Sequence, residues 1–231
     1  MPKAVNSGAG LGCGFFCSFA VQSYFASLMI KNLIFDFGKV LICYDYPSFL
    51  KTLFSDDGER LEFEKIFCSF EFTQRCDIGV EPFLDIIREY QEKFPHWEKQ
   101  LQEFHDRQID AMTVEMPGMR DLLTRLKANG YRLYGLTNWS STVYPVIEKY
   151  DILQMMDDRL ISSEEHLIKP DMAIYDRLCE KFGLVKEECL FTDDKQVNID
   201  GAKAAGMSAV LFTDASQFEE DLKRLGVRTT P

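Results

Sequence analysis

Short apolar runs alternate with longer amphipathic stretches along most of the chain. The runs fit β-strands at residues 33–35, 133–136, 189–192 and 209–212. Helical patterns lie between them: an apolar stripe that begins at Met119 and is stopped by Gly130, stretches at 140–150 and 173–182, and a helix closed by Gly206. Strands that alternate with helices pair in parallel through right-handed crossovers. The pattern therefore predicts an α/β fold around a parallel sheet.

Residues 46–114 form a long stretch with helical rather than strand periodicity. Phe83, Leu84, Ile87 and Tyr90 recur at spacings that place them on one face of a helix. Because this stretch interrupts the alternation of strands and helices, we predict a helical insert between the first strand and the rest of the sheet.

Polar side chains directly follow three of the predicted strands. Asp36 follows the first strand, Thr137 and Asn138 follow the second, and Asp193 with Asp194 follow a later one. In an open α/β sheet, ligands bind beyond the carboxyl ends of the strands. We therefore expect these side chains to meet in one crevice.

Placing these carboxylates close together and away from water is energetically unfavourable, which suggests that they have a function. Asp36 would be poorly solvated at the end of an apolar strand unless a cation or hydrogen-bond donors meet it. Asp193 and Asp194 repel each other unless they are neutralised, and their oxygen atoms suit an octahedral Mg²⁺ ion. Each has a simpler explanation when taken singly, as a turn-forming Asp before Gly38 or as an acidic helix N-cap. Their combination favours a metal-dependent site.

Lys169 and the Thr137-Asn138 pair add groups that bind anions. Lys169 precedes Pro170, so it lies in an extended or turn conformation, from which its ammonium can offset carboxylate repulsion and hold phosphoryl oxygens. Thr137 and Asn138 offer a hydroxyl and an amide to phosphate. Alone, the lysine would be explained as a solvated surface residue and the pair as a helix cap.

Four short stretches together resemble the motifs of the haloacid dehalogenase-like hydrolase superfamily, specifically its phosphatases with a small helical cap. They are Asp36-Phe37-Gly38-Lys39-Val40, Thr137-Asn138, Lys169-Pro170-Asp171, and Asp193-Asp194 with Asn198. The resemblance covers nearly everything after residue 28. It implies a Rossmann-like core made of residues 29–45 and 115–231, with a helical cap at 46–114 that closes over the active site.

The resemblance also implies a reaction and the residues that perform it. It predicts a phosphatase for a small phosphorylated metabolite, such as a sugar phosphate, with Mg²⁺ as cofactor and an aspartyl-phosphate on Asp36; splitting the transfer lowers each barrier. The implied roles are catalytic for Asp36 and Lys169, substrate-binding for Phe37, Gly38, Thr137 and Asn138, metal-binding for Asp36, Gly38, Asp193 and Asp194, and supporting for Asn198. Asp194 aligns with the family's usual direct ligand, so we expect Asp193 to act indirectly.

Gly38 departs from the family pattern. Phosphatases of this superfamily usually carry a second Asp there, which protonates the leaving group and activates water, a contribution of roughly 10²–10⁴ in rate. The carbonyl and N–H of Gly38 can still meet metal and phosphate. We therefore expect either leaving groups that depart with little protonation or a proton donor supplied by water or by a cap residue. Asp45, the nearest carboxylate after the strand, is better explained as a turn or helix cap.

Two alternatives stay open from the sequence. The 2-haloacid dehalogenases of this superfamily use one nucleophilic Asp and no metal, and attack carbon, although tandem Asp193-Asp194 makes better sense beside a cation. A catalytically quiet binding module that retained the fold is the second alternative, supported by Gly38 alone. Magnesium dependence separates the first alternative from a phosphatase, and an Asp36→Asn variant separates the second.

Charge and cysteine content narrow the partners and the compartment. The formal net charge of −11 repels both a nucleic-acid backbone and an anionic membrane, so we expect neither as a partner. The 7 cysteines have no paired metal-type spacing, which indicates a reduced, cytoplasmic compartment. The Gly-punctuated apolar residues 1–28 fit a signal peptide or a membrane span poorly. We expect them to be an N-terminal extension, either disordered or an over-extended start.

Overall fold

The fold is built on a parallel β-sheet, which confirms the fold class predicted from the sequence. The computed structural model describes residues 30–230, and the prediction for residues 1–28 lies outside the described residues. The strands are β1 (Asn32–Phe35), β2 (Ile42–Tyr44), β3 (Met112–Glu115), β4 (Arg132–Thr137), β5 (Asp158–Ile161), β6 (Cys189–Asp193) and β7 (Ser208–Leu211). Five of them form the main sheet in the order β5-β4-β1-β6-β7, and β2 pairs with β3 in a separate antiparallel ribbon.

Helices connect the strands and cover the sheet. Those before β3 are α1 (Tyr46–Leu50), α2 (Asp57–Phe67), α3 (Phe70–Ile78), α4 (Phe83–Lys93) and α5 (Glu98–Asp106). Those after β3 are α6 (Met119–Ala128), α7 (Val143–Lys149), α8 (Asp151–Gln154), α9 (Ser162–Glu165), α10 (Met172–Phe182), α11 (Gln196–Ala204) and α12 (Ala215–Arg224). Short 3₁₀ turns occupy Pro95–Trp97, Gln108–Ala111 and Lys186–Glu188. Across residues 30–230, no helix has the length and apolar character that crossing a bilayer requires.

The central strand β1 is buried on both faces, which explains its continuous apolar sequence. Leu33 and Phe35 belong to one hydrophobic cluster and Ile34 to another, because successive side chains of a strand point to opposite faces. Strand β6 repeats this division, with Leu190 in the first cluster and Phe191 in the second. Helices on both faces supply the rest of each cluster, as expected for a parallel sheet.

The register of the sheet brings the polar residues that follow the strands to the same end of the sheet. Phe35 is level with Gly135 on β4 and with Thr192 on β6. The Asp36 N–H continues this ladder by donating to the Thr192 carbonyl at 3.0 Å. The residues that follow these strands therefore emerge at the same end of the sheet.

The helical insert of the structure comprises residues 46–111 and lies between β2 and β3. Three of its helices begin at side-chain N-caps: Asp45 accepts from the Ser48 N–H, Asp56 from the Glu59 N–H and Ser69 from the Phe72 N–H. Its interior is a cluster of aromatic rings, in which Phe67 contacts Phe63, Phe72, Tyr90, Phe94, Trp97 and Phe104. The same hydrophobic cluster includes Leu33 and Phe35 of β1, so the packing of the insert is continuous with that of the sheet.

Three strands differ from the sequence-based expectation. The first is β2, a strand of only three residues, which the sequence does not predict. The sequence predicts helical periodicity up to residue 114, but Met112–Glu115 is a strand paired with β2. Four residues are too few for the alternation of a strand to stand out from the helical pattern before it. Strand β5 was not predicted. It lies at the sheet edge and begins with Asp158, which is exposed, and half-buried Arg159, so its apolar part is limited to Leu160 and Ile161. Edge strands with charged residues lack the continuous apolar run that identifies a central strand.

Candidate active site

A tight turn after β1 holds Asp36 at the carboxyl end of the sheet. The N–H groups of Leu41 and Ile42 both donate to the Phe37 carbonyl at 2.9 Å, and Lys39 N–H donates to the Ile42 carbonyl at 2.8 Å. Lys39 has a left-handed backbone with φ 59°, which reverses the chain within a few residues. The turn therefore fixes the direction in which Asp36 leaves the strand.

Lys169 lies between two of the carboxylates predicted to meet. Its ammonium nitrogen is 2.9 Å from Asp36 Oδ1 and 2.7 Å from Asp193 Oδ2, and it also donates to the Leu136 carbonyl at 2.9 Å. The Lys169 side chain is 1% exposed, and those of Asp36 and Asp193 are 13% and 0% exposed. Burial lowers the pKa of Lys169, but the two carboxylates outweigh it and raise that pKa above its ordinary value. Lys169 is therefore a buried cation that bridges two strand ends.

Asp193 is surrounded by donors. Asn198 Nδ2 donates to its two oxygens at 3.0 and 2.9 Å, and the Lys195 N–H donates at 2.9 Å. Burial raises the pKa of Asp193, but Lys169 and these donors together hold it below its ordinary value. Its oxygens are thus already engaged by the protein.

Three carboxylates converge within metal-binding distance of one another. One oxygen from each of Asp36, Asp193 and Asp194 lies within 4.8 Å of the other two. Within residues 30–230, Asp194 accepts no side-chain hydrogen bond, and burial followed by repulsion from Asp193 raises its pKa. Hard oxygen donors in this number suit Mg²⁺ rather than a softer metal. The residues present therefore fit the ion that the sequence predicts.

Asn138 is bonded to the chain that carries Lys169. Its Nδ2 donates to the Lys169 carbonyl at 2.9 Å, and its Oδ1 accepts from the Lys169 N–H at 2.9 Å. Both functions of the side chain are used in this pair of bonds, so it positions Lys169. On the other side of the same turn, a Cβ atom on Gly201 would lie 2.4 Å from the Pro170 carbonyl oxygen, which shows how closely α11 packs there.

Phe37 and Gly38 contribute backbone rather than side chains. The Phe37 ring is buried and lies over Gly135, where a Cβ atom would be 2.5 Å from the ring. Gly38 lines the cavity described next. Any contact of Phe37 with substrate must therefore come from its main chain.

A cavity of about 420 Å³ joins these strand ends to the helical insert. From the sheet side it is lined by most of the predicted residues, namely Asp36, Gly38, Thr137, Asn138, Lys169, Asp194 and Asn198. From the other side it is lined by aromatic residues, among them Tyr44, Tyr46, Phe67, Phe72, Phe83 and Phe104, and by polar residues that include Glu64, Thr73, Gln74, Asp77 and Gln108. Its volume is in the range of pockets that take small ligands.

Two further cavity residues were not identified from the sequence. Tyr44 follows Gly38 by six positions, and its ring lies against that glycine. Asp77 is near the end of α3 in the insert and lines the same cavity as Asp36. Its only sequence signal is a carboxylate just before Gly79, which ends the helix. That signal indicates a helix terminus more readily than a site.

The two carboxyl groups on opposite sides of the cavity have raised pKa values. Burial, opposed by Lys169 and reinforced by Asp193, raises the pKa of Asp36 to about 6. Burial also raises the pKa of Asp77 to about 7, although Lys195 and the Ser140 N–H lower it. Perturbed carboxyl groups that face one cavity are typical of functional sites.

Curated proteins with similar sequences include several phosphatases. Flavin mononucleotide hydrolase 1 of Arabidopsis thaliana is 25% identical over 115 residues, which cover 50% of this chain and 47% of that protein. Phosphoglycolate phosphatase of Pasteurella multocida is 31% identical, with 48% and 50% covered. Glyceraldehyde 3-phosphate phosphatase of Pyrococcus furiosus is 28% identical, with 64% and 69% covered. The chain spans about half the length of the first two relatives.

Solved structures share the fold. A HAD family enzyme of Bacteroides thetaiotaomicron, determined as a magnesium complex, has a TM-score of 0.66 at 19% identity, with 84% of this chain and 99% of that chain covered. A dehalogenase determined as an intermediate complex has a TM-score of 0.60 at 18% identity, with 80% and 86% covered. The sequence model of the haloacid dehalogenase-like hydrolases matches residues 33–212, a span that holds every residue of the site above. The chain therefore belongs to the haloacid dehalogenase-like hydrolase family.

Proposed function

We propose that this protein is a Mg²⁺-dependent phosphatase that hydrolyses a small phosphorylated metabolite through an aspartyl-phosphate on Asp36. The position of Asp36 carries the proposal. Its carboxylate lines the cavity, lies 2.9 Å from the Lys169 ammonium, and is within 4.8 Å of carboxylate oxygens of Asp193 and Asp194. A nucleophile, a buried cation and a set of oxygen ligands thus share one wall.

The chain's own residues supply binding and attack. Asp36 attacks phosphorus, and the ester oxygen leaves toward the cavity. Lys169 neutralises charge on Asp36 and on the phosphoryl oxygens, and a preorganised buried cation is worth more than one in water. Asn138 holds the Lys169 backbone in place, while the Thr137 hydroxyl and the Gly38 N–H donate to the phosphoryl group. These donors offset the repulsion between an anionic ester and an anionic wall.

Asp36, Asp194 and the Gly38 carbonyl would hold the magnesium ion. Asp193 would support it indirectly, because its oxygens already accept from Lys169, Asn198 and Lys195. When bound, the ion supplies the positive charge that lets an anionic ester approach these carboxylates.

The cavity favours a small substrate with an apolar face. Aromatic side chains on the insert side suit the C–H face of a sugar or an aryl group. The sequence relatives named above act, by their names, on flavin mononucleotide, phosphoglycolate and glyceraldehyde 3-phosphate, and they support a phosphate ester as substrate. A sugar phosphate fits both observations.

The test is a screen of metabolite phosphates with and without Mg²⁺, with the Asp36→Asn variant as the blank. We expect release of inorganic phosphate from at least one sugar or aryl phosphate in Mg²⁺, loss of release in chelator, and none from the variant. Absence of turnover across the panel would overturn the proposal and favour a catalytically quiet binding module.

A metal-free 2-haloacid dehalogenase is the second candidate, and Gly38 is the observation that favours it. Such an enzyme would use Asp36 to attack carbon and would need no second carboxylate two residues later. Halide release from 2-haloacids that persists in chelator, without phosphate release from any ester, would select it. The Asp194 carboxylate favours the phosphatase, because it accepts no side-chain hydrogen bond within residues 30–230 and offers an oxygen ligand to a metal ion beside Asp36.

A further inference from the structure

We propose that Asp77, on the helical insert, donates the proton to the leaving group and later accepts a proton from water, in place of the side chain that Gly38 lacks. The inference rests on the proposed phosphatase function and adds a residue to it. Asp77 lies outside the four motifs and on the other wall of the cavity.

The placement of Asp77 suits a proton donor to the departing oxygen. Asp77 and Asp36 line the same cavity from the insert and from the sheet edge, respectively. The two are close enough for the charge on Asp36 to raise the pKa of Asp77. In an in-line displacement the leaving oxygen departs on the side of phosphorus away from the nucleophile, and therefore toward the insert.

The main chain around Asp77 is pinned to the core. Ser162 Oγ donates to the Asp77 carbonyl at 2.6 Å and accepts from the Trp139 N–H at 2.9 Å. His166 Nδ1 lies 3.1 Å from the Ile78 carbonyl. A carboxylate on a helix of the insert is thereby held in a fixed relation to the strand ends.

Gly79 completes this attachment. It has φ +69°, and a Cβ atom there would lie 2.4 Å from the Ser163 carbonyl oxygen. The chain at this point can approach α9 only because glycine has no side chain. The contact therefore fixes the end of α3, two residues after Asp77.

The electrostatic surroundings leave Asp77 able to exchange a proton near neutrality. Burial raises its pKa to about 7, with Asp36 adding to the shift and Lys195, the Ser140 N–H and Lys169 opposing it. The Asp77 charge in turn raises the pKa values of three neighbouring groups, those of Tyr44, Tyr46 and Cys76. A catalytic acid works best when its pKa is near the working pH.

The other carboxyl groups of the cavity are committed elsewhere. Those lining it in the described part of the chain are Asp36, Glu64, Asp77 and Asp194. Asp36 and Asp194 are assigned above to attack and to the metal, and Glu64 pairs with Arg60 at 2.9 Å. Asp45, close after the strand, caps α1 through the Ser48 N–H at 3.0 Å. Asp77 remains as the carboxyl group without another role.

Tyr44 is the main competitor as proton donor. Burial and then the charges of Asp194, Asp36 and Asp193 raise its pKa above the ordinary value of a phenol. A phenol so shifted gives up its proton reluctantly and stays neutral at working pH, which makes it a poor partner for the second step. Asp77 can serve in both steps.

The proton balance closes over the two steps. In the first, Asp36 Oδ bonds to phosphorus, the bond from phosphorus to the ester oxygen breaks, and the Asp77 carboxyl proton passes to that oxygen. In the second, water oxygen bonds to phosphorus, the Asp36–phosphorus bond breaks, and the Asp77 carboxylate takes the water proton. Inorganic phosphate leaves, and both carboxyl groups return to their starting states.

The test compares Asp77→Asn with wild type on an alkyl phosphate and on p-nitrophenyl phosphate. Asn is nearly isosteric with Asp, but its amide has no acidic proton to transfer. An alkoxide needs protonation to leave and p-nitrophenolate does not. We expect kcat/KM, which reports the first step, to fall about 10²–10⁴-fold for the alkyl ester and less than about 10-fold for the aryl ester. With the aryl ester, the variant should accumulate acid-stable phosphoprotein, because the second step has lost its base.

Matched variants make each outcome decisive. Glu71→Gln removes an exposed carboxylate from the same helix and should leave both rates unchanged. Asp77→Glu keeps a proton donor and should recover part of the alkyl-ester rate. Equal loss on both esters, or no loss on either, would overturn the role of Asp77 while leaving the phosphatase proposal intact. Wild-type protein that hydrolyses neither these two esters nor any metabolite phosphate of the screen in Mg²⁺ would overturn both.

Discussion

The ring of Tyr44 lies in tight contact with the position that a side chain on Gly38 would take. A Cβ atom on Gly38 would lie 3.0 Å from Tyr44 Cε1 and 3.7 Å from Cδ1. Tyr44 and Gly38 are held in this relation because β2 returns the chain past the turn that follows β1. The absence of the usual second carboxylate is therefore matched by a bulky residue beside it.

This relation predicts that Gly38→Asp alone will not increase activity. The new carboxylate would meet the Tyr44 ring, so we expect kcat/KM on an alkyl phosphate to stay at or below the wild-type value. The double variant Gly38→Asp/Tyr44→Ala should exceed both single variants, with a coupling of about 0.5–3 kcal/mol in a double-mutant cycle. Gly38→Ala isolates the steric part. An increase in rate from Gly38→Asp alone would contradict the prediction.

Removing the Lys169 ammonium should destabilise the fold strongly. Lys169→Met leaves Asp36 and Asp193 buried and facing each other without their shared cation. Breaking a buried ion pair on one side costs about 3–5 kcal/mol. We expect a loss of that size in the free energy of unfolding, measured with urea at pH 7 in chelator.

A surface lysine provides the comparison for Lys169. Lys93→Met removes an exposed partner of Glu89, and exposed ion pairs contribute about 0–1 kcal/mol. Similar losses for the two variants would mean that Lys169 does not neutralise the carboxylates as the distances indicate.

Magnesium should stabilise the wild-type protein through Asp194. An ion that binds only the folded state raises its stability by about 2.7 kcal/mol at 100 times the dissociation constant. We expect the melting temperature to rise with Mg²⁺ concentration in wild type and to change little in Asp194→Asn. Asp200→Asn, an exposed carboxylate on α11, should respond as wild type does. Equal responses in all three proteins would remove Asp194 from the metal site.

The strands that carry the site were predictable because of where they lie in the sheet. β1, β4 and β6 are adjacent central strands with both faces covered, which forces continuous apolar sequences just before Asp36, Thr137 and Asp193. Parallel pairing then brings their carboxyl ends together without further information. The resemblance to known motifs added the expected roles, which stay predictions until they are tested.

The rest of the site depends on contacts between distant parts of the chain. Asn138 offers a phosphate-binding amide by sequence, yet its side chain pairs with the backbone of Lys169, 31 residues later. Asp77 reaches the cavity because Ser162, 85 residues later, holds its carbonyl. Neither hydrogen bond corresponds to a periodic pattern or a bias in composition of the sequence, so local sequence patterns do not identify these positions.

The glycine that attaches α3 to the core should tolerate no side chain. Gly79→Ala adds a Cβ atom 2.4 Å from the Ser163 carbonyl oxygen and keeps a left-handed backbone. Gly183→Ala has the same backbone strain, with φ +64° and no atom within 4 Å of the new Cβ. The difference between the two variants isolates the close contact.

We expect Gly79→Ala to lose more stability than Gly183→Ala, by at least about 1 kcal/mol in urea unfolding. If the displaced helix end carries Asp77 away from the cavity, kcat/KM on an alkyl phosphate should fall with it, whereas Gly183→Ala should retain it. Equal stabilities and rates for both variants would mean that α9 yields to the added methyl group.

Asp77 should make the protein less stable as pH rises, independently of any substrate. Its pKa is raised from 3.8 to about 7 in the folded state, so folding favours the protonated form. Below about pH 3 the carboxyl group is largely neutral in both states and carries no penalty. Between about pH 3 and 7 the unfolded chain ionises first, so the stability of the folded state falls, and above about pH 8 the loss is complete.

Asn at position 77 cannot ionise, so the stability of Asp77→Asn relative to wild type should increase as the pH is raised. Since each pKa unit corresponds to about 1.4 kcal/mol at most, we expect Asp77→Asn to be more stable by about 1–3 kcal/mol at pH 8 and to differ by less than about 1 kcal/mol near pH 4. Urea unfolding of both proteins in chelator at several pH values measures this, with Glu71→Gln as the exposed carboxylate on the same helix. A difference that stays constant across this range would show that Asp77 ionises as freely in the folded protein as in the unfolded chain. A carboxylate kept at a cost to stability is what a proton-transfer role requires and what a structural role does not explain.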